Sequence, residues 1–160
     1  MAAIVVRELE PLRPLFAEEP CHPENNEPLL MLSRSTTVPI ATGERHLTRW
    51  GFREVIEREM CAILQPDIRH CGGMMELKKI AAMAEIHNMA IAPHNAAGPI
   101  GVAASLHVIA TIPNLLICEG GHRRGEGLFE TPLVFKDGFV ELPIAPGLGV
   151  DTADEAIERV

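Results

Sequence analysis

The sequence repeats one pattern five times: a short apolar run, an ionisable residue at its end, and then a stretch with apolar residues at helical spacing. The runs are PLF (14–16), VPIAT (38–42), CAILQ (61–65), AIAP (90–93) and LLIC (115–118). The ionisable residues are spaced 26, 23, 27 and 25 residues apart: Glu18, Glu44, Asp67, His94 and Glu119. Strands that alternate with amphipathic helices indicate a parallel sheet, because each helix covers the sheet face that it crosses. We therefore predict an α/β fold with five ionisable groups at one sheet edge, and helices over 74–89 and 98–110.

Ionisable groups on five successive strands favour a (β/α)₈ barrel over an open, doubly wound sheet. In a barrel, residues from several strands converge at the carboxyl edge, whereas an open sheet binds its ligand where the strand order reverses. A closed barrel needs about 200 residues or more, and this chain has 160. We predict the C-terminal portion of a TIM-type barrel with about five βα units over 1–131. A tail over 132–160 is expected to pack on the same domain, with a β-hairpin that turns at Lys-Asp-Gly and a short helix in TADEAIERV.

Composition narrows the range of partners. The chain has 22 acidic and 14 basic residues and a formal charge of −8, and its longest basic cluster is Arg123-Arg124, so no nucleic-acid partner is expected. The opening MAAIVVRELE has an apolar run too short for a signal peptide or a membrane span, which predicts a cytoplasmic protein without a membrane partner. The four cysteines form no CxxC pair, so reduced thiols are expected.

Glu18 and Glu44 would end neighbouring strands, where their oxygens could share one hard cation. Mg²⁺ prefers oxygen ligands and keeps several waters, which suits carboxylates on rigid strand ends. The alternative is that each glutamate pairs with Arg13, Arg45 or water. The motif FAEEP raises a further question, because Glu19 follows Glu18 directly. The proline after Glu19 favours an extended backbone there.

Asp67 and His94 would also end neighbouring strands. A carboxylate that holds one imidazole nitrogen fixes the tautomer and raises the basicity of the other nitrogen, so the pair could act as a general base. The alternative is a structural histidine satisfied by a nearby acid. Glu119 would stand beside His94 and could donate a hydrogen bond to an oxyanion, although Glu126 could compete for this role.

Three further residues are candidates for substrate binding, because loops at the catalytic edge supply contacts. His22 and His70 follow strand ends closely, and Arg45 follows Glu44. A phosphosugar aldolase or isomerase remains an alternative because CGG (71–73) and EGG (119–121) could approach a phosphate. The chain has no lysine at a predicted strand end to form a Schiff base.

Five motifs together resemble the enolase superfamily, its mandelate racemase subgroup, and within that subgroup the D-galactonate dehydratase type. The motifs, which run in order along essentially the whole chain, are FAEEP, PIATGERHLTRWGF, ILQPDIRHCGG, KIAAMAEIHNMAIAPHNAAGPIGVAAS and PGLGV. The resemblance implies a Mg²⁺-dependent hydro-lyase that removes the proton α to a sugar-acid carboxylate, stabilises the enediolate and loses water to give a 2-keto-3-deoxy acid. Members of this superfamily use a Lys or His base with Mg²⁺.

Position by position, the resemblance makes Glu18 and Glu44 metal ligands, His94 the catalytic histidine and Asp67 the residue that orients it. Glu119 matches the glutamate that stabilises the transition state, although CEGG departs from the expected motif. The family's capping domain, third metal carboxylate and second acid/base residue have no match in the 160 residues. We therefore expect a truncated chain that need not be active alone and that is prone to form homo-oligomers.

Two further functions are compatible with the same motifs. One is another enzyme of the same subgroup, either a racemase or a dehydratase for a different sugar acid. The other is a non-catalytic remnant that serves in interaction or oligomerisation.

Overall fold

A parallel β-sheet forms the centre of the molecule. The computed structural model describes residues 1–96, 98–120 and 124–157. The strands are β1 (Ala17–Glu18), β2 (Ile40–Thr42), β3 (Ile63–Leu64) and β4 (Ala90–Ile91). They pair in parallel in their chain order. Leu115 adds a parallel bridge to Ile91 and so continues this order into the fifth apolar run. The predicted α/β fold with a parallel sheet is confirmed.

Helices connect the strands in the predicted alternation. Their bounds are α1 (Ala2–Leu9) with a 3₁₀ turn (Glu10–Leu12), α2 (Glu27–Ser33), α3 (Thr48–Glu57), α4 (Met74–Ile86), α5 (Pro99–Ile109) and α6 (Asp154–Ile157). The helices predicted over 74–89 and 98–110 correspond to α4 and α5. Helix α5 begins with a proline, whose ring fixes φ near the helical value at a position that needs no N–H partner.

The two faces of the sheet have different neighbours because side chains alternate along a strand. On one face, Ile40, Leu64 and Ile91 belong to the main core. Helices α1 to α5 all contribute buried side chains to this core. On the other face lies a small apolar cluster formed by Ala41, Ile63 and Ala92, against which Phe16 and Ala90 pack. We call this second face the inner face of the sheet.

The tail after α5 carries a two-stranded antiparallel sheet. Its strands are β5 (Phe135–Lys136) and β6 (Phe139–Val140). Asp137 and Gly138 between them have φ values of 52° and 82°. Two consecutive residues with positive φ suit the tight turn of a hairpin. Phe129 and Leu133, just before the hairpin, are buried against α5. Residues 158–160 of the predicted tail lie outside the described residues.

Three local predictions were wrong. The strand expected over 14–16 is displaced to β1, because the parallel hydrogen bonds start at Ala17, whose N–H donates to Pro39 O (2.8 Å). The run over 115–118 contributes only the Leu115 bridge to the sheet. Glu19 is not extended but has a φ of 44°, and its side chain is held by Thr42, the last residue of β2, and by Gly43.

Two expectations from composition concern thiols and membranes. All four cysteines are free. Within the described ranges, the helices are too short or too polar to cross a membrane.

Candidate functional site

The candidate site lies at the carboxyl edge of the sheet, where the polar groups after each strand meet. Strand alternation assigns Glu18, Gln65 and His94 to the inner face, since each lies two residues after an apolar residue on that face. A cavity of about 230 Å³ opens there. Its walls include Phe16, Glu18, Gln65, Ala92, Ile117 and Glu119.

A larger cavity of about 700 Å³ lies elsewhere, between α5, the segment after it and the hairpin. Its lining is mostly apolar and contains no predicted site residue. We place the functional site at the smaller cavity, because Glu18 and Glu119 line it and Pro93, which directly precedes His94, forms part of its wall.

Asp67 and His94 form a hydrogen-bonded pair at this edge. His94 Nδ1 lies 2.9 Å from Asp67 Oδ2. The carboxylate accepts, so Nδ1 carries the proton and the lone pair of a neutral imidazole is on Nε2. The Asp67 side chain is 1% exposed and the His94 side chain 14%, so the pair is largely shielded from water. This arrangement can accept a proton at Nε2.

Asp67 is itself held by the backbone that follows it. Its Oδ1 accepts the N–H groups of Arg69 (2.8 Å) and His70 (3.3 Å). Burial alone would raise the pKa of Asp67, but these hydrogen bonds, with those from His94 and the Arg69 side chain, outweigh burial and lower the pKa below its usual value. Asp67 is therefore an ionised acceptor that fixes the orientation of the imidazole.

Glu44 lies on the other side of His94. Its Oε2 is 3.3 Å from His94 Nε2, so a proton on Nε2 would lie between the two groups. The carbonyl oxygen of Glu44 accepts a hydrogen bond from His70 Nδ1 (2.8 Å). The structure thus brings together four of the predicted residues, Glu44, Asp67, His70 and His94.

Glu19 binds Arg45, which the sequence indicated as a candidate for substrate binding. Its carboxylate accepts hydrogen bonds from Thr42 Oγ1 (2.7 Å), the Gly43 N–H (2.8 Å) and Arg45 Nε (2.9 Å). Burial raises the pKa of Glu19, but these hydrogen bonds outweigh it and the pKa is lowered. Glu19 therefore anchors the loop that carries Glu44, a role that the sequence did not indicate. This anchoring explains why a second glutamate directly follows Glu18 in the FAEEP motif.

Glu119 is positioned by an asparagine that sequence reasoning missed. Its Oε2 accepts the N–H of Asn95 (2.7 Å), and its carbonyl oxygen accepts Asn95 Nδ2 (3.1 Å). Asn95 is 2% exposed and its Oδ1 accepts the hydroxyl of Ser105 in α5 (2.7 Å). The position directly after His94 was the only signal in the sequence for this contact.

The remaining candidates are less constrained. Glu18 is exposed at the end of β1 and lines the cavity. His22 is exposed and its Nδ1 lies 3.8 Å from Glu24, so nothing in the described part of the chain joins it to the Asp67–His94 pair. Among the described residues, no three His, Cys, Asp or Glu side chains are grouped so that they could hold a metal. Glu18 and Glu44 offer suitable oxygens, but these residues do not form a complete Mg²⁺ site.

The low pKa of Asp67 predicts an effect on acid stability. A carboxyl whose pKa is lower in the folded than in the unfolded state stabilises the fold above its unfolded pKa, about 3.9, and this contribution is lost as the pH falls through the folded value. The free energy of unfolding should therefore fall more steeply with acidification in the wild type than in Asp67→Asn.

Urea unfolding at a series of pH values from 7 to 2 measures this difference. Glu57→Gln is the control, because Glu57 is half exposed in an ion pair within α3 and should not change the slope. Equal pH slopes in the wild type and Asp67→Asn would contradict the prediction.

The fold and the site define an α/β protein with a carboxylate-oriented histidine at the carboxyl edge of a parallel sheet. The chain belongs to the enolase C-terminal domain-like family, whose model matches residues 1–156.

Curated relatives agree with this assignment. A D-galactonate dehydratase of Ralstonia pickettii is 42% identical in an alignment of length 166, gaps included, that covers 98% of this chain and 43% of the relative. A D-galactonate dehydratase of Cronobacter sakazakii is 40% identical over 98% of this chain and 44% of its own length. The chain therefore spans less than half the length of these relatives.

Solved structures show the same fold. A mandelate racemase/muconate lactonizing enzyme from Sulfitobacter sp. matches 99% of this chain and 40% of its own, with a TM-score of 0.90 and 41% identity. A member of the enolase superfamily from Salmonella Typhimurium matches 99% of this chain and 41% of its own, with a TM-score of 0.93 and 33% identity. The resemblance stated from the motifs is confirmed.

Proposed function

We propose that this chain is the catalytic C-terminal part of a Mg²⁺-dependent sugar-acid dehydratase that acts on D-galactonate or a similar aldonate. The observation that carries the proposal is the buried Asp67–His94 pair, whose free imidazole nitrogen, Nε2, lies 3.3 Å from Glu44 Oε2. The names of the curated relatives support the substrate class.

In this proposal, His94 Nε2 is the general base. The C–H bond α to the substrate carboxylate breaks and its proton moves to Nε2, while Asp67 stabilises the imidazolium and keeps its orientation. The C–O bond at the neighbouring carbon then breaks, and the leaving hydroxyl takes the proton held on His94 Nε2 and departs as water. The enol that remains loses its hydroxyl proton and gains a proton from solvent at the carbon that lost the oxygen. The product is a 2-keto-3-deoxy acid. A proton on the free oxygen of Glu119 would let that oxygen donate a hydrogen bond to the negative charge that develops.

We propose Mg²⁺ as the cofactor, with Glu18 and Glu44 as two of its ligands. When bound, the cation would supply charge stabilisation near the substrate carboxylate. The described residues supply these two carboxylates at the predicted positions, and water, substrate or ligands from outside these residues would complete the coordination. Arg45, His70 and His22 stay proposed as substrate contacts, although Arg45 is already bound to Glu19.

The arrangement of helices supports a barrel of the TIM type. The parallel strands follow their chain order, and helices α1 to α5 all contribute to the core on one face. A doubly wound sheet would place helices on both faces. We propose that the five βα units over 1–131 form an arc of a (β/α)₈ barrel and that the tail over 132–160 packs on it. We also propose that the protein is cytoplasmic and that it forms homo-oligomers.

A turnover assay tests this function. The purified protein is incubated with D-galactonate and Mg²⁺, and the 2-keto-3-deoxy acid is quantified; other aldonates and mandelate are assayed in parallel. We expect product that depends on Mg²⁺, disappears with a chelator and falls about 100-fold or more in Glu44→Gln. Light scattering on the same sample gives the oligomeric state.

The matched control is Glu57→Gln, because Glu57 lies on the exposed side of α3. It should keep wild-type turnover. A folded protein that converts none of these acids would contradict the proposal, and racemisation without dehydration would favour the other activity of the subgroup.

A further inference from the structure

We propose that Gln65 binds a substrate hydroxyl and so helps to determine which polyhydroxy acid the site accepts. This inference rests on the proposed function, which assigns a sugar acid to the cavity. Gln65 was not among the residues that the sequence indicated, and none of the roles assigned above involves it.

The first observation is that the Gln65 side chain is buried without a partner. The residue is 5% exposed, and its Oε1 has no hydrogen-bond partner among the described residues. Buried amide oxygens in proteins almost always accept a hydrogen bond, because an unpaired one loses its interaction with water and gains nothing. An unpaired amide in a native structure therefore indicates a group that is satisfied by something else.

The second observation is the position of Gln65. It directly follows β3 and lies two residues after Ile63, a member of the inner-face cluster. It lines the same cavity of about 230 Å³ as Glu18 and Glu119. Asp67, which orients the catalytic histidine, is two residues further along the chain. The unpaired amide thus lies on the wall where the proposed substrate would bind.

The chemistry of the amide selects the ligand group. A terminal amide has one acceptor oxygen and one donor nitrogen, and a hydroxyl both donates and accepts. An uncharged amide between the carboxylates of Glu18 and Glu119 adds no further negative charge to a cavity that must admit an anionic acid. A hydroxyl on a carbon other than the reacting pair is therefore the group that Gln65 would take.

This contact should contribute to specificity. A site that hydrogen-bonds a substrate hydroxyl rejects an analogue that lacks the group, because the buried amide is then left unpaired again. For at least one of the 4-, 5- and 6-deoxy analogues of D-galactonate, kcat/KM of the wild type should be about 100-fold or more below that for D-galactonate.

The test compares the wild type with Gln65→Met, which has a similar length and no amide. For each, kcat and KM are measured with D-galactonate and with the three deoxy analogues. We expect Gln65→Met to raise KM for D-galactonate about 10-fold and to lose the discrimination against one analogue. A merely structural role would lower all rates together and would leave the ratio between substrates unchanged.

The matched control is Asn26→Ala. The Oδ1 of Asn26 is also buried without a partner, but Asn26 precedes α2 and lies outside the cavity. It should keep the wild-type ratios. Turnover by Gln65→Met with wild-type discrimination against every analogue would overturn the inference while leaving the proposed function intact.

A second measurement separates the two proposals if the wild type shows no turnover. The side-chain NH₂ signals of Gln65 in a ¹⁵N spectrum are assigned by their absence in Gln65→Met, and D-galactonate is added with Mg²⁺. A saturable shift of these signals supports the contact although dehydration fails. Signals that do not move at saturating D-galactonate overturn it.

Discussion

Replacement of His94 with asparagine should lower kcat for the proposed sugar-acid dehydration by about 10³-fold, with KM changed only a few-fold. His94 Nε2 is the proposed acceptor of the α-proton, and an asparagine amide cannot take a proton at neutral pH. The binding groups on the cavity wall would remain in place. Steady-state kinetics with D-galactonate measures the effect, and exchange of the α-hydrogen with deuterated water reports proton abstraction separately.

Asp67→Asn should act on the same step through the imidazole. An asparagine at this position can present an N–H where His94 Nδ1 now donates, which would favour the tautomer with its proton on Nε2. We expect kcat to fall about 10²-fold or more, and the double variant with His94→Asn to be no slower than His94→Asn alone, because the two residues act as a unit.

His87→Asn is the control for both variants. His87 caps the C-terminal end of α4 and its Nδ1 lies 3.4 Å from Glu59, so it is not part of the site. Its activity should stay within about two-fold of the wild type, as is usual for a surface position. Retention of more than a tenth of the wild-type kcat by His94→Asn would assign proton abstraction to another group.

The order of the elements could be predicted from the sequence, because it depends on periodicity. Strand β2 and helices α4 and α5 lie where apolar spacing indicates them. The ends of the strands could not be predicted as well from the sequence. Pairing at β1 depends on backbone hydrogen bonds to residues more than twenty positions away, such as that from Ala17 to Pro39, and local propensity contains no information about them. Residues 115–118 are strand-like in composition, but only Leu115 has a bridging partner among the described residues.

In the candidate site, too, some contacts could be predicted from the sequence and others depend on the folded conformation. The approach of Asp67 to His94 follows from two polar residues at the ends of adjacent strands, so the sequence indicated it. The hydrogen bonds from Arg45 to Glu19 and from Asn95 to Glu119 depend on the conformation of the loops after the strands. Gln65 had a usable signal, since it lies two residues after a buried strand residue, but only the structure shows that its amide is unpaired.

Among single alanine substitutions in the loop that carries Glu44, Gly43→Ala should reduce the stability of the fold the most. Gly43 has a φ of 142°, a conformation that residues with a Cβ rarely adopt. A Cβ there would lie 2.8 Å from Phe52 Cε1 and 2.9 Å from the backbone N of Gln65. Phe52 is 0% exposed in the core, so neither neighbour can move without further cost.

The strain and the overlap together should destabilise the fold by about 2–5 kcal/mol, which corresponds to a decrease of roughly 5–15 °C in Tm. Calorimetry or thermal unfolding by circular dichroism measures this decrease. The matched control is Gly73→Ala: Gly73 also has a positive φ, 95°, but a Cβ there would meet nothing within 4 Å. The difference between the two variants isolates the overlap from the backbone strain. If the Tm of both variants falls by the same amount, close packing beneath the loop that carries Glu44 adds nothing to the destabilisation beyond the conformational requirement for glycine.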